Sequence, residues 1–222
     1  MKAVVFDMDG TLVDSIEAHS RATTYVIEKI SKELGYQKPK GYDRVIYRCF
    51  GKDYRTIIKE HVFPEISNID NKKYEKLRNR HLIKHNLSYI KKLRGAKSVL
   101  KYLNKMEIKT AVASSSSRAE IDAFLKKTML KKYIHKIIGR DEVEHAKPSP
   151  DMILLACRKL YTSPEDAVYV GDSEYDAVAC RKASIRFIAV TTGQLSALKA
   201  RTYTKDVFEN LFQVKNYFKS FF

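Results

Sequence analysis

The sequence has few cysteines and lacks a long hydrophobic segment. Cys49, Cys157 and Cys180 are its only three cysteines, and they form no CxxC or other zinc-binding pattern. They are expected to be reduced, mostly buried thiols of a cytoplasmic protein. No apolar run approaches the roughly 20 residues that a membrane-spanning helix needs, and the first residues show no signal-peptide pattern. A zinc module and a membrane protein are therefore not expected.

Long basic blocks are also absent, although the 222-residue chain carries a formal net charge of +16. More than half of this charge lies in residues 15–94. Positive charge on this scale attracts anions such as phosphorylated metabolites, nucleic acid or acidic membranes. Because the basic residues are dispersed, a nucleic-acid-binding protein is the weaker, non-enzyme alternative. The composition or growth temperature of the source organism is another explanation of the charge.

Short apolar runs alternate with helical patterns at the start of the chain and again from Gly95 onward. Strands that alternate with helices indicate a parallel sheet with helices on both faces. We therefore predict an α/β fold with a Rossmann-like, doubly wound parallel sheet. The predicted strands are 3–6, 109–113, 136–139, 167–170 and 187–190.

Residues 15–94 interrupt this alternation with helical patterns alone. A chain of 222 residues suits one domain with a sizeable insertion. We predict a discontinuous α/β core formed by residues 1–14 and 95–222, and an inserted all-helical domain formed by residues 15–94. The helical pattern of residues 206–222 predicts a helix that covers an edge of the sheet, with a dimer or membrane-binding face as the alternative.

The acidic loop after the first predicted strand is the most informative segment. Asp7 and Asp9 follow the apolar run 3–6, and residues two apart in an extended segment point to the same side. Ligands of open α/β sheets bind at the carboxyl ends of the strands. Two adjacent carboxylates repel, and a hard divalent cation such as Mg²⁺ removes this repulsion. An acidic turn is the alternative. Gly10 allows a backbone conformation that other residues resist, and Thr11 adds a hydroxyl beside the carboxylates, so a ligand-binding loop is the better interpretation.

Polar residues also follow the second predicted strand and precede a later helix. Ser114, with Ser115 and Ser116 behind it, places hydroxyls and backbone amides where they can bind a phosphate oxygen. A helix cap is the alternative for these serines. Lys147 opens the string KPSPD, whose two prolines fix the backbone after the lysine. A cation positioned in this way can offset phosphoryl charge, whereas the alternative is an exposed lysine before a helix.

Two more carboxylates, Asp172 and Asp176, follow the predicted strand 167–170 in the string GDSEYD. Acids at the end of a strand can simply form a turn. The carboxyl ends of parallel strands meet at one edge of a sheet, so these carboxylates are instead expected to join Asp7 and Asp9 there.

The four segments resemble the four motifs of the haloacid dehalogenase superfamily, in the family's order and over nearly the whole chain. The strings FDMDGTLVDS, KPSPD and GDSEYD are similar to motifs I, III and IV, and Ser114 matches motif II. The resemblance implies an α/β core with a helical cap that closes over the active site. It also implies a Mg²⁺-dependent phosphatase that acts on a small phosphorylated metabolite such as phosphoglycolate or a sugar phosphate. We expect the protein to be cytoplasmic and to be a monomer or homodimer. No nucleic-acid or membrane partner is expected.

The resemblance implies a role for each motif residue. Asp7 would be the nucleophile that forms an aspartyl-phosphate, and Asp9 would be the general acid and then the general base. Ser114 and Lys147 would bind the phosphoryl oxygens. The implied Mg²⁺ site comprises Asp7, Asp9 (through its backbone carbonyl), Asp172 and Asp176, the last acting through water or by holding Lys147.

Further residues are expected to contact the substrate. His19 is similar to a histidine of β-phosphoglucomutase-like and sugar-phosphatase members, although it could be an ordinary histidine on a helix surface. Gly51 fits the specificity loop of the cap, which in those mutases has an arginine where this chain has Tyr54. This departure favours a phosphatase over the alternative, a sugar-phosphate mutase. The predicted substrate-binding residues are Thr11, Ser115, Ser116, His19, Gly51, Lys52 and Arg55.

Overall fold

The chain folds into two units, one of which is built from two separated segments. The core unit comprises Met1–Asp14 and Lys91–Phe222, and the helical unit comprises Ser15–Ile90. The structure is a computed structural model. It describes residues 1–37, 40–48, 56–66 and 69–220.

Apolar strands of the core unit form one six-stranded sheet with the order β5–β4–β1–β6–β7–β8, in which every neighbouring pair is parallel. β1 lies between two partners, so that Val5 stands opposite Ala111 on one side and Tyr169 on the other. The separate pair β2–β3 is antiparallel. The strands are β1 (Ala3–Phe6), β2 (Val13–Asp14), β3 (Lys91–Lys92), β4 (Lys109–Ala113), β5 (Lys136–Ile138), β6 (Ala167–Gly171), β7 (Arg186–Val190) and β8 (Val207–Phe208).

Helices cover both faces of this sheet. Alternate strand residues, including Val5, Ala111 and Tyr169, share a buried cluster with α6 and α7. On the other face α4 packs against β4, and α9 packs against α4. This arrangement confirms the predicted doubly wound α/β fold. The helices are α1 (Ile16–Leu34), α2 (Tyr42–Arg48), α3 (Asn71–His81), α4 (Ala96–Lys105), α5 (Arg118–Lys127), α6 (Asp151–Leu160), α7 (Glu174–Lys182), α8 (Ala197–Ala200) and α9 (Leu211–Lys219).

The helical unit has its own apolar core. α1 contributes Val26 and Ile30, which share a buried cluster with Ile58, Phe63 and Tyr74. The described part of the unit also contains π-helical turns at Ile57–Val62 and Leu82–Asn86 and a 3-10 turn at Leu87–Tyr89. Burial on one stripe of α1 explains the helical spacing of its apolar residues. Among the described residues, no helix of either unit is long and apolar enough to cross a bilayer.

Three short strands differ from the sequence patterns. Val13–Asp14 forms β2, and it pairs with β3 at Lys91–Lys92, inside the stretch that shows only helical patterns. Val207–Phe208 forms the edge strand β8, so the C-terminal helix begins at Leu211 and not near residue 206. A two-residue strand is too short to show alternation, which is why the pattern missed all three.

The C-terminal helix α9 is fixed at its start and along one face. The Asn210 side-chain oxygen accepts hydrogen bonds from the backbone N–H groups of Phe212 and Gln213, at 3.0 and 3.3 Å. Asparagine is a favoured residue at this position because it satisfies N–H groups that the helix leaves unpaired. Phe218 is fully buried in the same helix, whereas Phe212 is 41% exposed.

Phe218→Ala should therefore destabilise the core unit by about 3–5 kcal/mol, since it removes a buried aromatic side chain and leaves a cavity. Phe212→Ala is the matched control in the same helix. Phe212 lies near Arg94, with the guanidinium carbon 5.8 Å from the ring centre, and losing an exposed contact of this kind costs about 1 kcal/mol or less. Urea unfolding of the two variants measures the difference, and equal losses would contradict the packing described here.

Candidate active site

The polar segments meet because the strands that carry them are neighbours in the sheet. Asp7 and Asp9 follow β1, Ser114 follows β4, and Asp172 follows β6. β4 and β6 both pair with β1 in parallel register, so their carboxyl ends lie side by side. Lys147 reaches the same edge from the loop before α6. This edge of the sheet is where ligands of open α/β folds bind.

The Lys147 ammonium lies between two carboxylates. Its Nζ atom is 2.6 Å from Asp7 Oδ1 and 2.8 Å from Asp176 Oδ1, and it also donates to the Tyr169 hydroxyl at 3.1 Å. The lysine side chain is 5% exposed. Burial alone would lower the pKa of Lys147, but the carboxylates of Asp176 and Asp7 raise it above its ordinary value. The lysine is therefore a fixed cation and does not fit the alternative of an exposed residue.

Asp176 already has hydrogen-bond donors on both of its oxygens. Oδ1 accepts from Lys147 and, at 2.9 Å, from the Tyr169 hydroxyl. Oδ2 accepts from the backbone N–H and the hydroxyl of Ser173, at 3.1 and 2.6 Å. These bonds favour the second role considered for Asp176, which is to hold Lys147, and they leave little room for direct contact with a metal ion.

Asp172 and Asp7 remain as the carboxylates best placed for a cation. One oxygen from each of Asp7, Asp172 and Asp176 lies within 4.8 Å of the others. Burial, together with the nearby negative charge of Asp176, raises the pKa of Asp172 to about 7. Burial also raises the pKa of Asp7 well above its usual value, against the lowering effect of Lys147. Buried carboxylates that repel one another fit a hard divalent cation with oxygen ligands, such as Mg²⁺.

The Asp9 carboxylate faces the serines that follow β4. Its Oδ2 atom accepts from the hydroxyls of Ser114 and Ser116, at 3.2 and 3.0 Å. Ser117 supplies the cap of α5, with its side chain accepting from the backbone N–H of Glu120. The helix cap is thus a different serine, and Ser114 and Ser116 are available to line a site beside Asp9.

Other predicted substrate-binding residues have different surroundings. Thr11 is fully buried, and its hydroxyl donates to Asp172 Oδ1 at 2.8 Å, so it supports that carboxylate and is not open to a substrate. Ser115 is exposed. His19 lies in the helical unit, where its Nδ1 atom is 2.5 Å from Arg78 Nη2. Gly51, Lys52 and Arg55 fall outside the described residues.

Sequence reasoning missed two parts of this site. Tyr169 is a strand residue whose hydroxyl contacts both Lys147 and Asp176, but a tyrosine inside an apolar strand looks like an ordinary core residue. The loop after β7 contacts Asp172 through the backbone N–H of Gln194, at 3.0 Å. The sequence TTGQ directly after a predicted core strand was an available signal, because it is a polar, glycine-containing segment at the same sheet edge.

Known proteins resemble this chain over most of its length. The family model for haloacid dehalogenase-like hydrolases matches residues 4–190. A predicted pyrophosphatase, PpaX, of Caldanaerobacter subterraneus subsp. tengcongensis is 31% identical over 198 residues, which are 85% of this chain and 80% of that protein. Phosphoglycolate phosphatase 1 of Pseudomonas aeruginosa is 26% identical over 198 residues, which are 86% of this chain and 70% of that protein. The crystal structure of a predicted haloacid dehalogenase-like hydrolase from Bacteroides fragilis has a TM-score of 0.76 and 27% identity, and the match covers 96% of this chain and 99% of that one.

Asp172→Asn tests the electrostatic cost of the carboxylate cluster. The pKa of Asp172 rises from 3.8 to about 7 on folding, so the folded protein holds this proton more tightly than the unfolded chain. The resulting stabilisation is complete below about pH 4 and is lost as the pH rises towards 7. In EDTA, the melting temperature of the wild type should therefore fall relative to that of Asp172→Asn between these pH values.

Asp122→Asn provides a control of opposite sign. Hydrogen bonds from Lys126 and Lys131 lower the pKa of Asp122, so its stabilising contribution is present at neutral pH and is lost as the pH falls. A melting-temperature difference between Asp172→Asn and the wild type that stayed constant from pH 4 to 7 would contradict the electrostatic cost of ionising Asp172.

Proposed function

The chain belongs to the haloacid dehalogenase-like hydrolases, and we propose that within this family it is a Mg²⁺-dependent phosphatase that acts through an aspartyl-phosphate on Asp7. The observation that supports this most strongly is the position of the Asp7 carboxylate. It lies at the end of the central strand β1, two residues before a second carboxylate and 2.6 Å from the buried Lys147 ammonium.

Lys147 serves the nucleophile by favouring its ionised form. Only a carboxylate anion can attack phosphorus, and burial works against that anion by raising the pKa of Asp7. The adjacent ammonium lowers the pKa and occupies Oδ1, so that Oδ2 is the oxygen left to attack. The same cation offsets charge on the phosphoryl oxygens as they approach.

Asp9 is placed to transfer the protons of both half-reactions. In the first, an Asp7 oxygen bonds to phosphorus, the bond to the leaving oxygen breaks, and Asp9 donates its proton to that oxygen. In the second, Asp9 takes a proton from water as the water oxygen bonds to phosphorus and the Asp7–phosphorus bond breaks. The hydroxyls of Ser114 and Ser116, which donate to Asp9, can turn to donate to a phosphoryl oxygen instead.

The donor set also fits the proposed cation. The carboxylates of Asp7 and Asp172, with the backbone carbonyl of Asp9, would hold Mg²⁺. When bound, Mg²⁺ neutralises negative charge on the nucleophile and on the phosphoryl group. Asp176 contributes indirectly, because it fixes Lys147.

The proposed substrate is a small compound with a phosphoryl group and further negative charge. Two named relatives are a predicted pyrophosphatase and a phosphoglycolate phosphatase. Pyrophosphate and phosphoglycolate are therefore the first compounds to test, followed by sugar phosphates, which the sequence analysis also favoured. The net charge of +16 is compatible with such anions. Four other expectations stay predictions. They are the cytoplasmic location, the monomeric or homodimeric state, the lack of a nucleic-acid or membrane partner, and the role of the helical unit as a cap.

Asp7→Asn should lower kcat for phosphate release by a factor of about 10³ or more, because the covalent route is lost. The measurement is phosphate release from pyrophosphate, phosphoglycolate and a series of sugar phosphates. Asp14→Asn is the matched control, since Asp14 is an exposed aspartate of the same segment and its loss should leave kcat unchanged. Retained turnover in Asp7→Asn would falsify the nucleophile assignment, and rearranged sugar phosphate without phosphate release would favour the mutase.

Removal of divalent cations should stop the reaction, and Mg²⁺ should restore it. A ligand that binds only the folded protein also stabilises it, by about 2.7 kcal/mol at one hundred times its Kd. The melting temperature should therefore rise with Mg²⁺ concentration in the wild type but not in Asp172→Asn. Activity that persists in EDTA, with a melting temperature indifferent to Mg²⁺, would remove the metal from this proposal.

A further inference from the structure

The Asp172 carboxylate is enclosed by two loops that are distant in sequence. Thr11, from the loop after β1, donates to Oδ1 at 2.8 Å, and the backbone N–H of Gln194, from the loop after β7, donates to Oδ2 at 3.0 Å. The backbone N–H of Leu195 also donates to the Asp172 carbonyl at 2.8 Å. Asp172 is 1% exposed. Both the side chain and the backbone of this residue are thus held by neighbouring loops.

Two glycines make room for the carboxylate. A Cβ atom at Gly193 would lie 1.7 Å from Asp172 Oδ2 and 2.4 Å from its Cγ. A Cβ atom at Gly10 would lie 2.5 Å from the same oxygen, and Gly10 also has a φ of +81°, which favours glycine. Any side chain at either position would force the carboxylate or the loop that carries the glycine to shift.

Thr192 joins the two loops. Its hydroxyl donates to the carbonyl oxygen of Gly10 at 2.6 Å. Thr11 and Gln194 can therefore approach Asp172 from fixed positions, because a hydrogen bond joins the two loops that carry them. The contacts form a closed ring from Thr192 through Gly10 and Thr11 to Asp172, and back through Gln194.

We infer that the loop Thr191–Leu195 is a positioning element that orients the Asp172 carboxylate for the cation, an inference that rests on the proposed Mg²⁺ site. One protein donor occupies each carboxylate oxygen, and a carboxylate oxygen has a second lone pair available for a ligand. Residues that orient a metal ligand in this way affect metal affinity although they do not touch the metal. Gly193 supplies the space, Gln194 the N–H donor, and Thr192 the connection to the loop after β1.

The test measures Mg²⁺ binding to the whole protein by isothermal titration calorimetry, with Asp172→Asn as the reference for loss of the site. Gly193→Ala and Thr192→Val should each weaken Mg²⁺ binding by a factor of about 10 or more, the usual effect of removing such a supporting contact. Thr192→Val replaces the hydroxyl with a methyl group of similar size, so it carries the test if Gly193→Ala fails to fold. Thr192→Ser keeps the hydroxyl and should restore wild-type affinity.

Gly35→Ala is the matched control for the glycine substitution. Gly35 has a φ of +73°, and a Cβ atom there would meet nothing within 4 Å, so the variant carries backbone strain away from the site. Its stability in EDTA should fall, but its Kd for Mg²⁺ should not change. This comparison separates a loss of orientation at Asp172 from a general loss of stability.

The outcomes distinguish this inference from the proposal it rests on. If the wild type binds Mg²⁺, and Asp172→Asn does not, while Gly193→Ala and Thr192→Val bind as tightly as the wild type, the positioning role is wrong and the metal site stands. If Thr192→Val loses stability in EDTA with an unchanged Kd, the loop is structural only. If the wild type itself does not bind Mg²⁺, both the proposed site and the positioning role are overturned.

Discussion

The contact between the Lys147 ammonium and the carboxylates of Asp7 and Asp176 is the interaction on which the rest of the site depends. Three buried aspartates lie close together at this edge of the sheet, and Asp172 is the third. With all three ionised and Lys147 protonated, the cluster carries a charge of −2. A divalent cation is the simplest species that balances this charge. Burial is the main cause of the raised pKa values of Asp7 and Asp172, and the repulsion among carboxylates that one ammonium does not offset raises them further.

The order of the strands brings this charge together. β1 pairs with β4 on one side and β6 on the other, and the chain continues outward from both. The loops that follow a central strand and its two neighbours therefore diverge above one crevice, which is the usual ligand site of such sheets. A site built from several strand ends is rigid, because each strand is fixed by its neighbours. Tyr169 adds to this rigidity from within β6, because its hydroxyl forms hydrogen bonds with both Lys147 and Asp176.

The sequence predicted those parts of the site that lie in short, continuous strings. Asp7, Ser114 and Asp172 each follow an apolar run directly, so the position of each at a strand end could be predicted from local pattern alone. The residue with which a given hydroxyl forms its hydrogen bond could not be predicted from the sequence. Thr11 was expected to face a substrate, but it donates to Asp172, which is 161 residues away in sequence. Tyr169 was missed for the same reason, because its contacts depend on the three-dimensional arrangement of strands and not on spacing along the chain. The loop containing Gly193 had a local signal in TTGQ, but that signal did not identify Asp172 as its partner.

Asp172 and Asp176 show how local donors assign different roles to two similar residues. They lie four residues apart, with Asp172 in the loop after β6 and Asp176 in the first turn of α7, and both are buried. Asp176 accepts four hydrogen bonds from Lys147, Tyr169 and Ser173. Asp172 accepts one on each oxygen. Because a carboxylate can accept about four hydrogen bonds in all, Asp176 is saturated by the protein and Asp172 keeps capacity for a ligand. The count of protein donors, more than proximity, therefore decides which of the two carboxylates can serve a cation.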